Sequence, residues 1–283
     1  MQPSVLVTGA SSGIGLATAT MLARAGWRVF AGARHAPDSS ENIQPITLDV
    51  TSAESIEAAR REIEARLGGA GLDALVNNAG IGDTRPLEFT PMEKFRAVFD
   101  VNVFGVLAVT QGFLPLLRRA RGRLVNIGSV GGMISLPFGA SLCASKHAIE
   151  AISDSLRLEL WTSGIHVALI QPASINSGAA EKLAAELDDI IAALPSEGRR
   201  HYADKLRAFM AVTLKKETSG SPPEVVADAV LAALRDPNPP ARRLVGRDGR
   251  LIRFLARGIP DRLRDALLRR VLLGGDKPFG SDS

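Results

Sequence analysis

Short apolar runs alternate along the chain with longer amphipathic segments, and this alternation carries most of the architectural information. Residues 5–8 form an apolar run that enters a glycine-rich turn, and the apolar spacing beyond it predicts a helix to about residue 25. Gly26 stands where a helix C-cap belongs. Apolar runs at 27–31, 46–48, 72–76, 124–127 and 166–170 read as strands, with 243–245 as a seventh. Helical periodicity between them predicts helices from 51 to about 67, from 90 with a bend to about 119, from 141 to 161 and from 225 to 234. Thr51 with Glu54, Thr90 with Glu93 and Ser221 with Glu224 have capping-box spacing, and Pro91 fits the first helical position of the second.

Strand and helix alternate throughout, with connections too long for hairpins. Right-handed crossovers then give an α/β fold, a doubly wound parallel sheet of Rossmann-like type, as a single domain over residues 1–283. Residues 173–220 interrupt the alternation with a helical but irregular stretch. It is read as a lid over the sheet's carboxyl edge, where ligands bind in open α/β sheets. Its aliphatic residues Leu183, Leu187, Ile190, Ile191 and Leu194 point to an apolar substrate. Residues 247–283 form a C-terminal helical extension in which Leu251, Ile252, Leu255, Leu263, Leu267, Leu268, Val271 and Leu272 are interspersed with arginines. Packing on the domain is the first expectation for it; contact with another subunit or a membrane surface is the alternative.

The 283 residues carry a formal charge of +4. The isoelectric point near 9.6 reflects arginines concentrated late in the chain. Those arginines lack interleaved aromatics, so no nucleic-acid partner is expected. A single cysteine, Cys143, excludes an internal disulfide and fits a reducing compartment, and no His/Cys spacing suggests a metal. Met1-Gln2-Pro3-Ser4 leads into the first strand without a charged leader, and no uninterrupted apolar stretch is read as bilayer-spanning. A soluble cytoplasmic protein is the expectation.

Thr8-Gly9-Ala10-Ser11-Ser12-Gly13-Ile14-Gly15 joins the first strand to the first helix. Glycine there lets the backbone turn tightly and approach a diphosphate, while the helix N-terminus supplies free N–H groups and partial positive charge. Gly9, Ser11, Ser12, Gly13, Ile14 and Gly15 are therefore candidate dinucleotide contacts. The second strand ends in Ala31-Gly32-Ala33-Arg34. An acid at that place would hydrogen-bond a ribose 2′-hydroxyl and repel a 2′-phosphate. None is present, and Arg34 suits a 2′-phosphate, so NADP(H) is favoured over NAD(H).

The Gly-x-x-x-Gly-x-Gly spacing, with Asn77-Asn78-Ala79-Gly80 after the fourth strand and Leu48-Asp49-Val50 after the third, resembles the short-chain dehydrogenase/reductase family. The shared motifs run in order from about residue 5 to 177. The resemblance implies a nicotinamide-dependent oxidoreductase, forming a homodimer or homotetramer on the long helices that bear Asn102 and Lys146. It adds Asp49, Val50, Asn78, Ala79, Gly80, Lys146, Pro172 and Ser177 to the cofactor contacts. Similarity is greatest to the branch that handles steroid, retinoid and related lipophilic alcohols or ketones.

In that family a tyrosine hydroxyl protonates the reduced carbonyl, a serine holds the carbonyl oxygen, a lysine binds the nicotinamide ribose and an asparagine holds a water. Asn102 in Val-Asn-Val-Phe-Gly, Ser129 in Asn-Ile-Gly-Ser and Lys146 in Cys-Ala-Ser-Lys match three of these. The tyrosine belongs four residues before the lysine and thirteen after the serine, and Leu142 stands there. The one tyrosine of the chain, Tyr202, falls in the lid. Pro172-Ala173 replaces the family's Pro-Gly, and Ser177 its following threonine.

The expectation is thus an NADP(H)-binding protein with weak or non-standard hydride transfer on an apolar carbonyl, alcohol or imine, Leu142 being a natural variant or an introduced change. A redox-silent cyclase, isomerase or lyase in the same cleft, or a cofactor-binding regulatory protein, is the alternative. His147, about 100° round the helix from Lys146, is expected to face away from the site. His35 and His201 stand isolated, His166 is read as structural and Cys143 as a packed small residue.

Overall fold

The computed structural model describes residues 2–35 and 39–273. In chain order the elements are β1 (Ser4–Thr8), α1 (Gly13–Arg24), β2 (Arg28–Ala33), β3 (Ile43–Thr47), α2 (Ala53–Leu67) and β4 (Ala74–Asn77). They continue with α3 (Met92–Phe99), α4 (Val106–Ala120), β5 (Arg123–Ile127), α5 (Ala140–Glu159) and β6 (His166–Pro172). Then come α6 (Ala179–Ala185), α7 (Leu187–Ala193), α8 (Ser196–Thr218), α9 (Glu224–Arg235), β7 (Arg242–Val245), α10 (Gly249–Gly258) and α11 (Asp261–Leu272). The strands pair in the order β3-β2-β1-β4-β5-β6-β7, all parallel. This is the Rossmann-like single domain that the alternation predicts.

Side chains of successive strand residues leave opposite faces of a sheet, so a strand buried on both faces is mostly apolar. In β1, Val5 and Val7 join one core with α1 and α9, whereas Leu6 joins the other with α2 and α4. β2 repeats the division, with Val29 and Ala31 on the first face and Phe30 on the second. The order in which strands are added reverses between β1 and β4, and the crevice at that switch point is where such folds take ligands.

Several boundaries differ from the sequence reading. β3 begins at Ile43 and contains Pro45, which breaks the apolar run; β3 is an edge strand, where a residue without an N–H is tolerated. Ser52, not Thr51, caps α2 by accepting from Ser55 N–H, while the Thr51 hydroxyl donates to Asp49. Thr90 donates to the Pro86 carbonyl, and Ser221 accepts from Arg247 N–H, so neither acts as the predicted cap. α3 and α4 form one run interrupted by a π-turn at Asp100–Gly105. That run, Met92–Ala120, is long and apolar enough by composition to cross a membrane, contrary to the sequence reading. Its Val109, Phe113, Leu116 and Leu117 are spent on the sheet's core.

Segment 173–220 contains α6, α7 and α8. Ile190, Ile191, Leu206 and Phe209 pack with Phe138 and Leu272 into a third cluster. Of the five aliphatic residues expected to face substrate, Leu183 alone lines the cleft; Ile190, Ile191 and Leu194 are buried and Leu187 packs on the third cluster. Within 247–283, residues 274–283 lie outside the described residues. Leu272 is buried and Leu268 packs on the third cluster, as the packing expectation required. Leu251, Phe254, Leu263, Leu267 and Val271 remain exposed.

Candidate active site

One cleft of about 1820 Å³ runs along the carboxyl edge of the sheet. Pockets for drug-sized ligands are roughly 300–1,000 Å³, so this one has room for a dinucleotide and a second molecule. It is lined by Gly9, Ser11, Ser12, Gly13, Ile14, Gly15, Arg34, Asp49, Val50, Asn78, Ala79, Gly80, Asn102, Ser129, Lys146, Pro172 and Ser177. Every residue singled out from the sequence for the site therefore reaches one surface. Leu142 lines it too.

At the nucleotide end, glycine is required at two positions by contact rather than by habit. A Cβ on Gly9 (φ +66°) would lie 2.8 Å from Ala79 Cα, and one on Gly15 would lie 2.1 Å from the Gly9 carbonyl oxygen. The turn is thereby pressed onto the end of β4. Thr8 Oγ1 accepts from the N–H groups of Asn78 and Ala79 at 3.0 Å, and Asn78 Nδ2 donates to the carbonyls of Thr8 (2.9 Å) and Gly9 (3.2 Å). No side chain caps α1, and its first turn holds no acid. Uncapped amides at the positive end of a twelve-residue helix, opening on a cleft, fit a diphosphate.

Arg34 is exposed at the rim. The Asp49 carboxylate accepts from Thr51 N (2.9 Å) and Thr51 Oγ1 (2.7 Å). Those bonds, with the Arg34 charge nearby, hold its carboxyl below the usual range. At the other end, the π-turn carries Asn102. Its Oδ1 accepts from Ile81 N (2.8 Å), and its Nδ2 donates to Ile81 O (2.9 Å) and Ser145 Oγ (3.0 Å). The Ser145 hydroxyl donates in turn to the Leu142 carbonyl at 2.7 Å.

Ser129 follows β5, and its Oγ accepts from Gly131 N at 3.0 Å, which leaves the hydroxyl proton to donate. Lys146 Nζ donates to the Ile127 carbonyl at 2.9 Å. Lys146 is half-buried, and burial of its ammonium end lowers its pKa from the ordinary 10.5 to about 8. Leu142 lies one turn earlier on the same face of α5. Its Cδ2 and the Cδ1 of Leu183 both lie close to Gly82, within 4 Å of where a Cβ there would stand.

Tyr202 is elsewhere: its hydroxyl donates to Glu88 at 2.8 Å and its ring packs edge-on to Phe89 and Phe138. His147 is exposed and outside the cleft. Cys143 is buried, which pushes its thiol pKa up. Among the described residues no His/Cys/Asp/Glu cluster could hold a metal.

Sequence reasoning missed two parts. Ser145 stands beside Lys146 in the Cys-Ala-Ser-Lys motif and was readable as a partner for Asn102. Glu217 at the end of α8 was not. Its carboxylate accepts from Ser177 Oγ (2.9 Å), Ser177 N (3.3 Å), Ala179 N (2.9 Å) and Ala180 N (2.9 Å), tying the start of α6 to α8. No local pattern announces a partner 40 residues away.

A parallel sheet with a glycine turn at its switch point and a Ser/Lys/Asn group at the far end of one cleft defines a dinucleotide-binding α/β protein of the oxidoreductase type. The family model for short chain dehydrogenase matches residues 3–188. The chain belongs to the short-chain dehydrogenase/reductase family. It is 37% identical to "Retinol dehydrogenase 16" of Mus musculus over 285 residues, covering 96% of this chain and 90% of that protein. Among solved structures it resembles a short-chain dehydrogenase from Streptomyces avermitilis (TM-score 0.75, 29% identity, 94% of both chains). It also resembles one from Burkholderia cenocepacia in complex with NADP (TM-score 0.71, 26% identity, 96% of this chain and 98% of the other).

Proposed function

We propose that the protein is an NADP(H)-dependent oxidoreductase for an apolar carbonyl, alcohol or imine, in which proton transfer is slow or rerouted because Leu142 occupies the tyrosine position. The observation that carries this reading is the sharing of one cleft by the glycine turn, Ser129, Lys146, Asn102 and Leu142. Retinol dehydrogenase relatives and the apolar lining of the cleft (Ile81, Ile134, Leu136, Leu142, Leu183) support a lipophilic substrate.

The α1 amides and the Gly9 turn would hold the diphosphate, Arg34 a 2′-phosphate, and Lys146 and Ser177 the nicotinamide end. A reduced nicotinamide bound there would supply hydride. The rest of the chemistry falls to the chain. Ser129 donates its free hydroxyl proton to a carbonyl oxygen and fixes the substrate. Lys146 places a cation beside it. Leu142 has no ionisable group, and a positioned acid contributes roughly 10² to 10⁴ in rate, or about 3–5 kcal/mol of barrier. A substrate that needs no proton, such as an iminium ion, escapes that loss.

A second reading rests on the same absence: Ser129 and Lys146 polarise a carbonyl for isomerisation or elimination without net redox change. Turnover assays separate the two. Loss of nicotinamide absorbance with imines or ketones supports the first reading, whereas product formed at constant absorbance supports the second.

Two further parts belong to the proposal. Segment 173–220 acts as a lid, anchored by Glu217. Exposed Phe104, Leu158 and Trp161, near or on the long helices, supply a subunit interface in a cytoplasmic homodimer or homotetramer. A light-scattering mass of one chain would count against that assembly.

A further inference from the structure

The C-terminal helices lie beyond the residues matched by the family model, and they present an unusual surface. On α10, Leu251 and Phe254 are 58% and 59% exposed; on α11, Leu263, Leu267 and Val271 are 55%, 39% and 52% exposed. Spacings of three and four residues put each set on one helix face. The adjoining side of α11 is anchored by Leu272 and Leu268 in the third core cluster. Among the described residues nothing covers the outward face.

The polar positions around this face are overwhelmingly arginine. α10 carries Arg250, Arg253 and Arg257 with no acid. α11 carries Arg262, Arg264, Arg269 and Arg270 against Asp261 and Asp265, and Arg264 alone engages both acids, at 2.9 and 3.8 Å. Leu251, Leu267 and Val271 also line the mouth of the cleft, so the exposed face and the substrate opening are continuous.

We propose that α10 and α11 dock the protein peripherally on a bilayer containing anionic lipid, with the cleft mouth against the headgroups. Apolar side chains would enter the interface while arginines meet lipid phosphates, the combination that holds amphipathic helices on membranes. A second copy fits less well, because a two-fold contact would set this arginine-rich patch against itself. A nucleic acid fits less well too, since aliphatic side chains would be buried against phosphate and Phe254 is the one aromatic on the two helices. Docking stands independently of the proposed chemistry; the corollary that an apolar substrate enters from the lipid rests on it.

The test is co-sedimentation of the full chain with vesicles of phosphatidylcholine alone and of phosphatidylcholine mixed with phosphatidylglycerol. The protein should pellet with the anionic vesicles, less with neutral ones, and less as salt rises. Phe254→Glu/Leu263→Glu changes two exposed residues outside the cleft and should lower partitioning by roughly tenfold or more, with NADPH binding unchanged by calorimetry. Arg253→Gln/Arg257→Gln should erase the preference for anionic vesicles. Failure of the wild-type chain to pellet with anionic vesicles overturns the proposal, as does equal partitioning of the Phe254→Glu/Leu263→Glu protein. So does a light-scattering mass of two chains that falls to one in that variant. NADPH calorimetry on the same samples reports on the cleft separately.

Discussion

The two ends of the cleft follow different rules. At the nucleotide end each feature is enforced by backbone geometry: Gly15 has no room for a Cβ, Gly9 packs on Ala79, and Thr8 and Asn78 stitch the turn to β4. At the chemical end the supporting side chains are present and hydrogen-bonded, yet the position expected to donate a proton holds a leucine. The hydrogen bonds that stitch the turn to β4 do not involve residue 142. On the proposed reading, binding and proton transfer are separable functions of one fold, and Leu142→Tyr and NADPH titration test them one at a time.

The sharpest way to break that contrast is Leu142→Tyr. With Ser129, Lys146 and Asn102 already in place, ketone reduction should rise by roughly 10² to 10⁴, followed as loss of nicotinamide absorbance, with NADPH affinity unchanged. No gain would show that the chemical end lacks more than an acid.

Gly15→Ala attacks the other end. The added Cβ meets a carbonyl oxygen of the backbone, which cannot move aside as a side chain can. A loss of about 1–3 kcal/mol in stability is expected for such overpacking, visible in a melting curve, together with loss of nucleotide binding by calorimetry. Arg34→Ala should weaken NADPH about tenfold, the scale of one exposed charge-assisted contact, and leave NADH unchanged. Equal losses for both would remove the NADP(H) preference.

A test of a different kind concerns Lys146. Its amine titrates near 8 in the folded protein against 10.5 ordinarily. Between those values the unfolded chain binds the extra proton, so this group makes stability rise with pH from about 8 to 10.5. Lys146→Met should lack that rise. Parallel melting temperatures for both proteins across the window would show that the ammonium is not buried.

The sheet was legible because the central strands are buried on both faces and so read as short, mostly apolar runs, with Asn77 and Asn126 among the buried polar exceptions. The turn and the Ser/Lys spacing were legible because phosphate approach and a shared helix face impose fixed separations. Caps were not. Thr51 and Ser52 are both hydroxyl residues, and composition does not say which of them stands just before α2, where Ser52 accepts from Ser55. The π-turn was invisible too, since helical periodicity continues through it. Close packing of Gly105 on Val50 coincides with its end, and that contact joins residues far apart in sequence. Segment 173–220 misled for a similar reason: Ile190 and Ile191 have the composition of a substrate wall, but tertiary packing turns them into core.

The central proposal is that the cleft binds NADP(H) with Leu142 standing where a proton donor was expected. Calorimetric titration of the unaltered, folded protein with NADPH tests it most directly. Saturable binding, tighter than that of NADH, is the predicted result. A folded sample that gives no saturable heat with either nucleotide would contradict it.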